Sequence, residues 1–215
     1  MSSNDYTEHN HIDSAAEAQL PYVGAHKHVC CFYRTHLEME RIWVAFIIEG
    51  LRQGQKCIVV VGIDYGVEEA VQALRVAGLN PNEHLENGSL VVANNQGFPT
   101  SATVKAEEVI VFWKARLTAC NEGYQSVRVA AQMTWLSAAQ RELDVVPEYE
   151  FLCNKLFLEL PISALCMYDT AIFSEYQLNR VTAAHPYIST RNTVNASEVS
   201  STTEFLLGKA FVFGK

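Results

Sequence analysis

The chain has 215 residues, 49% of them apolar and only 19% charged, enough for one well-buried domain and too apolar for a mainly disordered protein. Its formal charge of -8, from 24 acidic against 16 basic side chains with no Lys/Arg run, leaves no electrostatic footprint for phosphate backbones or anionic lipids. Direct nucleic-acid binding and membrane attachment are therefore not expected, and no segment approaches the ~20 uninterrupted apolar residues of a membrane helix.

Residues 1–25 are polar and aperiodic, without a basic leader or apolar stretch, and are expected to be a flexible leader. Order is expected from His26. Val29–Tyr33 is a short apolar strand, and Thr35 followed three residues later by Glu38 is a capping box that opens a helix running to about Gly54. That helix is apolar nearly all round, at Leu37, Ile42, Trp43, Phe46, Ile47 and Leu51, so it should be largely buried. Lys56–Gly62 is a continuous β-branched run, the mark of a central parallel strand covered on both faces. A helix over Val67–Ala77 closed by Gly78, a strand at Leu90–Ala93, a polar loop over Asn94–Ser101 and a long amphipathic helix from Thr103 to Asn121 follow. The pattern then repeats: a strand at Ser126–Met133, a helix over Glu148–Leu160 after Pro147, and a strand at Ile162–Asp169. Strands joined by helix-length crossovers give right-handed βαβ units, hence a three-layer α/β domain on a mainly parallel sheet. Tyr187–Ser201 is rich in Ser, Thr and Asn. The expected division is a leader at 1–25, a domain at 26–190 and a C-terminal extension at 191–215 that leads toward an output partner.

The first strand, turn and helix lie where a nucleotide-binding protein carries its phosphate loop. The turn here is Tyr33, Arg34, Thr35 and His36. A phosphate loop needs glycines, so that successive backbone N–H groups can wrap an anion, and a lysine that reaches it. Both are missing, so neither ATP binding nor catalysis is expected. No nucleophile stands beside an evident base, and the chain is not expected to be an enzyme.

Several fragments together resemble the MEDS family, the methanogen/methylotroph sensory domain found as the input module of a dichloromethane-responsive regulator and of assorted histidine kinases. They are His28, Val29, Phe32 and Tyr33; the passage EGLRQGQKCIVVV at 49–61; QMTW at 132–135; YEFLCN at 149–154; LCMYD at 165–169; and His185-Pro186. The layout is also similar to the RecA-like ATPases of the KaiC type. The resemblance implies a RecA/KaiC-like fold without a phosphate loop, and a cytoplasmic sensory role in transcription regulation or signal transduction. Its implied partners are a small organic ligand and a signalling or regulatory protein, with a homodimer as a further possibility. One departure stands out: Gln132 occupies the place where the family pattern has Glu, with Ala131 for the preceding glycine, which bears on ligand choice.

Ligands of parallel α/β sheets sit beyond the carboxyl ends of the strands. The residues there are Tyr33, Arg34, Thr35, Asp64, Tyr65, Gln132, Thr134, Trp135, Tyr168 and Asp169. Of these, Tyr33, Arg34, Thr35, Gln132, Trp135 and Tyr168, with Cys166, are the expected ligand-binding set, an aromatic pocket with a few polar handles suited to a small, mostly apolar molecule. Ordinary core packing is the competing reading for each aromatic. None of the six cysteines is spaced as C-x-x-C, and buried, reduced thiols are expected. No cofactor is expected. A metal is not expected either; the weaker alternative is His26, His28 and Cys30, which alternate and would project from one face of an extended segment.

Overall fold

The structure, a computed structural model, describes residue 20, residue 23 and residues 26–94, 106–138, 145–190 and 193–196. Most of the expected leader, most of the expected polar loop and the end of the chain lie outside the described residues. Leu20 and Val23 are nevertheless buried in the core, and Val23 O accepts from Arg128 Nη2 at 3.3 Å, so order begins before His26. Seven strands form one sheet: β1 (Lys27–Tyr33), β2 (Lys56–Val61), β3 (Leu90–Asn94), β4 (Val127–Gln132), β5 (Ile162–Asp169), β6 (Tyr187–Thr190) and β7 (Thr193–Ala196). Their order is β3-β2-β4-β5-β1-β6-β7, with β7 alone running antiparallel, against β6. The sheet therefore continues through Ala196, past the domain end expected at residue 190.

Helices cover both faces, as the continuous apolar strands require. β2, β4 and β5 are buried along their whole length. On one face, Val29, Cys31, Tyr33, Val59 and Met167 pack under α1 (His36–Arg52) and α2 (Val67–Val76). On the other, Cys30, Val129, Ala164, Cys166 and Tyr168 pack under α4 (Ala106–Asn121) and α6 (Val145–Glu159), with Val181 of α7 (Glu175–Ala184). Period-two alternation along each strand thus sends neighbouring residues into two separate cores. Two short helices, α3 (Pro81–Glu86) and α5 (Trp135–Ala138), complete the described elements.

The expected helix from Thr35 forms with Thr35 as N-cap, its hydroxyl accepting from Glu38 N at 3.2 Å. The reciprocal contact is shifted by one residue, since Glu38 Oε2 accepts from Arg34 N at 2.8 Å. Leu37 is 57% exposed, so the first turn of α1 is not buried as its composition implies. α3 and α7 were not expected, although both carry local signals: Pro81 in the first turn of α3, and a capping box between Ser174 and Gln177 in α7.

One buried cation locks α1 onto the sheet. Arg128 of β4 is 1% exposed; it donates from Nε to Gln55 Oε1 at 2.5 Å and from Nη1 to the Phe46 carbonyl at 2.9 Å, and its guanidinium lies 4.8 Å from the Phe46 ring centre. Gly50 makes room for it, because a Cβ there would stand 2.6 Å from Arg128 Cδ. Replacing Arg128 with Met keeps the stem and strands those acceptors, so we expect urea unfolding of Arg128→Met to show a loss of roughly 3 kcal/mol or more. A change within about 0.5 kcal/mol would mean the guanidinium is not needed there.

Candidate functional site

The expected strand-end residues divide between the two faces of the sheet. Tyr33 and Gln132 meet on the α1 face, where Gln132 Nε2 donates to Tyr33 Oη at 2.9 Å and to Asp64 Oδ1 at 3.0 Å. Gln132 Oε1 in turn accepts from Gly62 N at 2.7 Å, and Thr134 donates to Asp64 Oδ1 at 2.9 Å while accepting from Ile63 N at 3.2 Å. A Cβ at Gly62 would lie 2.0 Å from Thr134 Oγ1, so only glycine lets the β2 end approach this network. Asp64 Oδ2 also lies 3.0 Å from His36 Nε2, and burial raises the Tyr33 phenol far above its ordinary range. The polar groups are spent on one another.

Arg34 and Thr35 sit in the exposed turn just beyond. Glu38 N, one of the donors that would greet a phosphate at this helix N-terminus, is already engaged by Thr35 Oγ1. Arg34 N points at the Glu38 carboxylate, and that negative charge occupies the position an anion would need.

Trp135, Cys166 and Tyr168 belong to the opposite face. Trp135 is buried edge-on against Tyr149, with ring centres 5.7 Å apart. Cys166 and Tyr168 join a cluster centred on Glu150 of α6, which is fully buried. Tyr168 donates its hydroxyl to Glu150 Oε1 in a short hydrogen bond. Glu150 Oε2 lies 3.2 Å from His28 Nε2 and 3.3 Å from His185 Nε2, and Cys166 Sγ lies 3.2 Å from His28 Nε2. Four ligand-type atoms, from His28, Glu150, Cys166 and His185, thus all fall within 4.8 Å of one another, and all four residues are buried.

Electrostatics follow from that burial. Burial alone would raise the Glu150 carboxyl; the charged forms of His185 and His28 and the hydrogen bonds from His28 and Tyr168 pull it the other way, and the net direction is below the usual carboxylate range. His185 is pushed down to about 4, first by burial and then by the neighbouring His28, so it is neutral at pH 7. The Cys166 thiol is pushed well above its ordinary value, by burial first and the Glu150 charge second. Beside the cluster a cavity of about 20 Å³ opens between the sheet and α4/α6, lined by Trp113, Val129, Tyr149, Phe157, Ala164 and Cys166 among others.

Of the alternating His26, His28 and Cys30, the last two do project from one face of β1, toward α6, while His26 stands outside the strand. His26 precedes the strand at a φ of 60°, is exposed, and its Nδ1 lies 2.8 Å from the Phe157 carbonyl. Cys30 pairs in register with Cys166, both as free thiols, while His28 turns to partners far along the chain. Sequence reasoning missed Glu150, Asn154 and His185 as a set with His28. The signal was present: each stands in a fragment carrying the family resemblance, and Glu150 and Asn154 are one helical turn apart.

The family model for the MEDS domain, described as MEthanogen/methylotroph, DcmR Sensory domain, matches residues 27–186. The chain belongs to the MEDS family. It is similar to the transcriptional repressor DcmR of Methylorubrum extorquens, 26% identical over 166 residues, which cover 76% of this chain and 60% of the repressor. The match thus spans less than two thirds of that relative. Among solved structures, the fold is similar to a KaiC-like protein from Pyrococcus horikoshii, with a TM-score of 0.54 at 9% identity over 76% of this chain and 70% of that one. It is also similar to the flagellar accessory protein FlaH from Methanocaldococcus jannaschii, with a TM-score of 0.52 at 11% identity over 80% and 76%. These likenesses bear out the RecA/KaiC-like fold, and the family carries a sensory or regulatory role. Among the described residues no helix is long and apolar enough to cross a membrane.

Two outcomes follow for this MEDS chain. Calorimetric titration with Mg-ATP should show no low-micromolar binding, because Glu38 already fills the anion position; such binding would overturn the closed-turn reading. Trp135→Ala should cost ~3–5 kcal/mol in urea unfolding, as for a fully packed core tryptophan; a cost below about 1 kcal/mol would mean the indole faces space rather than core.

Proposed function

We propose that this domain senses a small, mostly apolar organic molecule and relays its occupancy to a regulatory protein, without catalysis. The observation that carries the reading is the cavity beside Glu150. Its wall is apolar and aromatic, with a few convergent polar groups at one end, the usual composition of a small-molecule site. At about 20 Å³ it holds roughly one water-sized body, so the ligand is very small or widens the cavity on entry. Of the residues expected from sequence, Cys166 lines it and Trp135 packs edge-on against Tyr149, which also lines it; Tyr168 does not line it.

Relay requires a ligand that prefers one of two states. β1 offers a short route, since His28 lies on the ligand face and Tyr33 at the far end of the same strand leads directly into α1. Between α1 and α2 runs an open groove of about 900 Å³ with Leu37 and Val76 exposed on it, a surface suited to a protein partner. Likeness to a repressor and the family's sensory character support a cytoplasmic regulatory setting. A second reading, a ligand-free module that assembles with a regulatory protein or a second copy, draws on the strand ends being self-satisfied.

The test is thermal shift against a panel of small apolar organics, with Ala164→Val as the filled-cavity control. A ligand at one hundred times its Kd should stabilise wild type by ~2.7 kcal/mol, and the extra methyl groups should abolish most of that shift. If no compound moves wild type, or if Ala164→Val responds equally, the cavity is not the ligand site and the second reading stands.

A further inference from the structure

The chemistry of the Glu150 cluster is fixed by counting its protons. His185 Nδ1 lies 2.8 Å from the Val181 carbonyl, which can only accept, so Nδ1 carries the proton and Nε2 presents a lone pair. Asn154 Nδ2 donates to the Ala184 carbonyl at 2.8 Å, which turns its Oδ1 toward His28 Nδ1, 2.7 Å away. His28 therefore also donates from Nδ1, and in its neutral form it presents the Nε2 lone pair to the cluster. The Tyr168 proton goes to Glu150 Oε1. One proton remains, on the Cys166 thiol, and it can serve His28 Nε2 at 3.2 Å. Glu150 Oε2 and His185 Nε2 then face each other at 3.3 Å as two acceptors with no proton to share, and His185 Nε2 makes no hydrogen bond although buried. Such an arrangement asks for a cation.

The spacing says which kind. In a tetrahedral site with metal–nitrogen and metal–oxygen bonds of about 2.0–2.1 Å, neighbouring donor atoms stand about 3.3–3.4 Å apart. Glu150 Oε2 lies 3.2 Å from one imidazole Nε2 and 3.3 Å from the other, and Cys166 Sγ lies 3.2 Å from His28 Nε2. Cys166 Sγ is 4.0 Å from Glu150 Oε2 and the four atoms spread over up to 4.8 Å, so the set draws in when the ion binds. Both rings are held by their outer nitrogens on carbonyl-type oxygens, the arrangement that orients histidine ligands and fixes their tautomer. Two imidazoles, a carboxylate and a thiolate are a borderline-soft set that suits zinc, and two anionic donors balance a dication, leaving no net charge in the interior.

We propose that His28 Nε2, His185 Nε2, Glu150 Oε2 and Cys166 Sγ ligate one tetrahedral divalent ion of the zinc class. Binding releases the Cys166 thiol proton to solvent and leaves a thiolate on the metal. With four protein donors the site is closed, and its role is structural: it pins β1, α6, β5 and the α7–β6 junction to one point. Asn154 is a positioning residue that acts through His28. The metal site adjoins the cavity of the ligand reading, since Cys166 belongs to both, but it does not depend on that reading: metal content and cobalt spectra report on the four donors alone.

The experiment uses the full chain, free of any polyhistidine tag, refolded from denaturant with zinc or with cobalt(II) because the site is buried. Metal analysis should find one zinc per chain. The cobalt form should show intense tetrahedral d–d bands and a thiolate-to-cobalt charge-transfer band. Cys166→Ser should remove the charge-transfer band, His185→Gln should abolish stoichiometric zinc, and Asn154→Ala should weaken zinc roughly 10–100-fold in competition with a chelator, while Cys120→Ser changes nothing. Should the variants fail to fold, the wild-type spectrum still decides. Absence of stoichiometric metal and of the thiolate band in refolded wild type, or metal retained undiminished in both ligand variants, overturns the proposal in favour of a His28 imidazolium paired with Glu150.

Discussion

A carboxylate with no exposure to water organises this domain. Taking an ionised Glu150 out of solvent costs several kcal/mol, and the cost is recovered only if its oxygens find donors or positive charge of good geometry. The partners come from β1, β5 and the residue that ends α7, while Glu150 itself rides on α6. Each would lose its interaction if α6 shifted or the β1–β5 register slipped, because side chains on a strand change face with every residue. The carboxylate therefore constrains register, helix docking and chain exit together, in a way that apolar packing, which tolerates sliding, does not.

The sheet keeps two chemistries apart. On the α1 face, the end of β4 carries Gln132 and the end of β1 carries Tyr33, tied with Asp64 and Thr134 into a network whose donors and acceptors satisfy one another. On the α4/α6 face, the acceptors of the Glu150 cluster outnumber its protons. The turn after β1 carries the Glu38 carboxylate on Arg34 N, and the Glu150 cluster lies a strand-length away, against His28 near the start of β1 on the opposite face.

The sequence made the fold legible because its signals were local. The β-branched run at 56–61, the Thr35 cap and the recurrence of strand and helix each depend on neighbours within a few residues. α7 and α3 had equally local signals in Ser174 with Gln177 and in Pro81, but α7 is a mostly polar ten-residue segment and α3 only six residues long, so neither carries the apolar stripe that marks the longer helices. The candidate site was legible only in part. Cys166 and Tyr168 could be placed by the rule that ligands gather at strand ends, but that rule does not say on which face, and Tyr33 and Gln132 fell on the other one. His28 stands more than a hundred residues before Glu150 and His185, and only tertiary packing brings their rings and carboxylate together. Gln132, standing where the family pattern has Glu, is accommodated by donating to both Tyr33 and Asp64, which a carboxylate could not do.

The account rests on Glu150 being ionised and on its neighbours depending on that charge. The most direct measurement is the unfolding free energy of Glu150→Gln, which keeps the shape and removes the charge. The account predicts a loss of about 3–5 kcal/mol relative to wild type, or a chain that does not fold, as when one partner is taken from a buried ion pair. A Glu150→Gln protein as stable as wild type to within about 0.5 kcal/mol would contradict it.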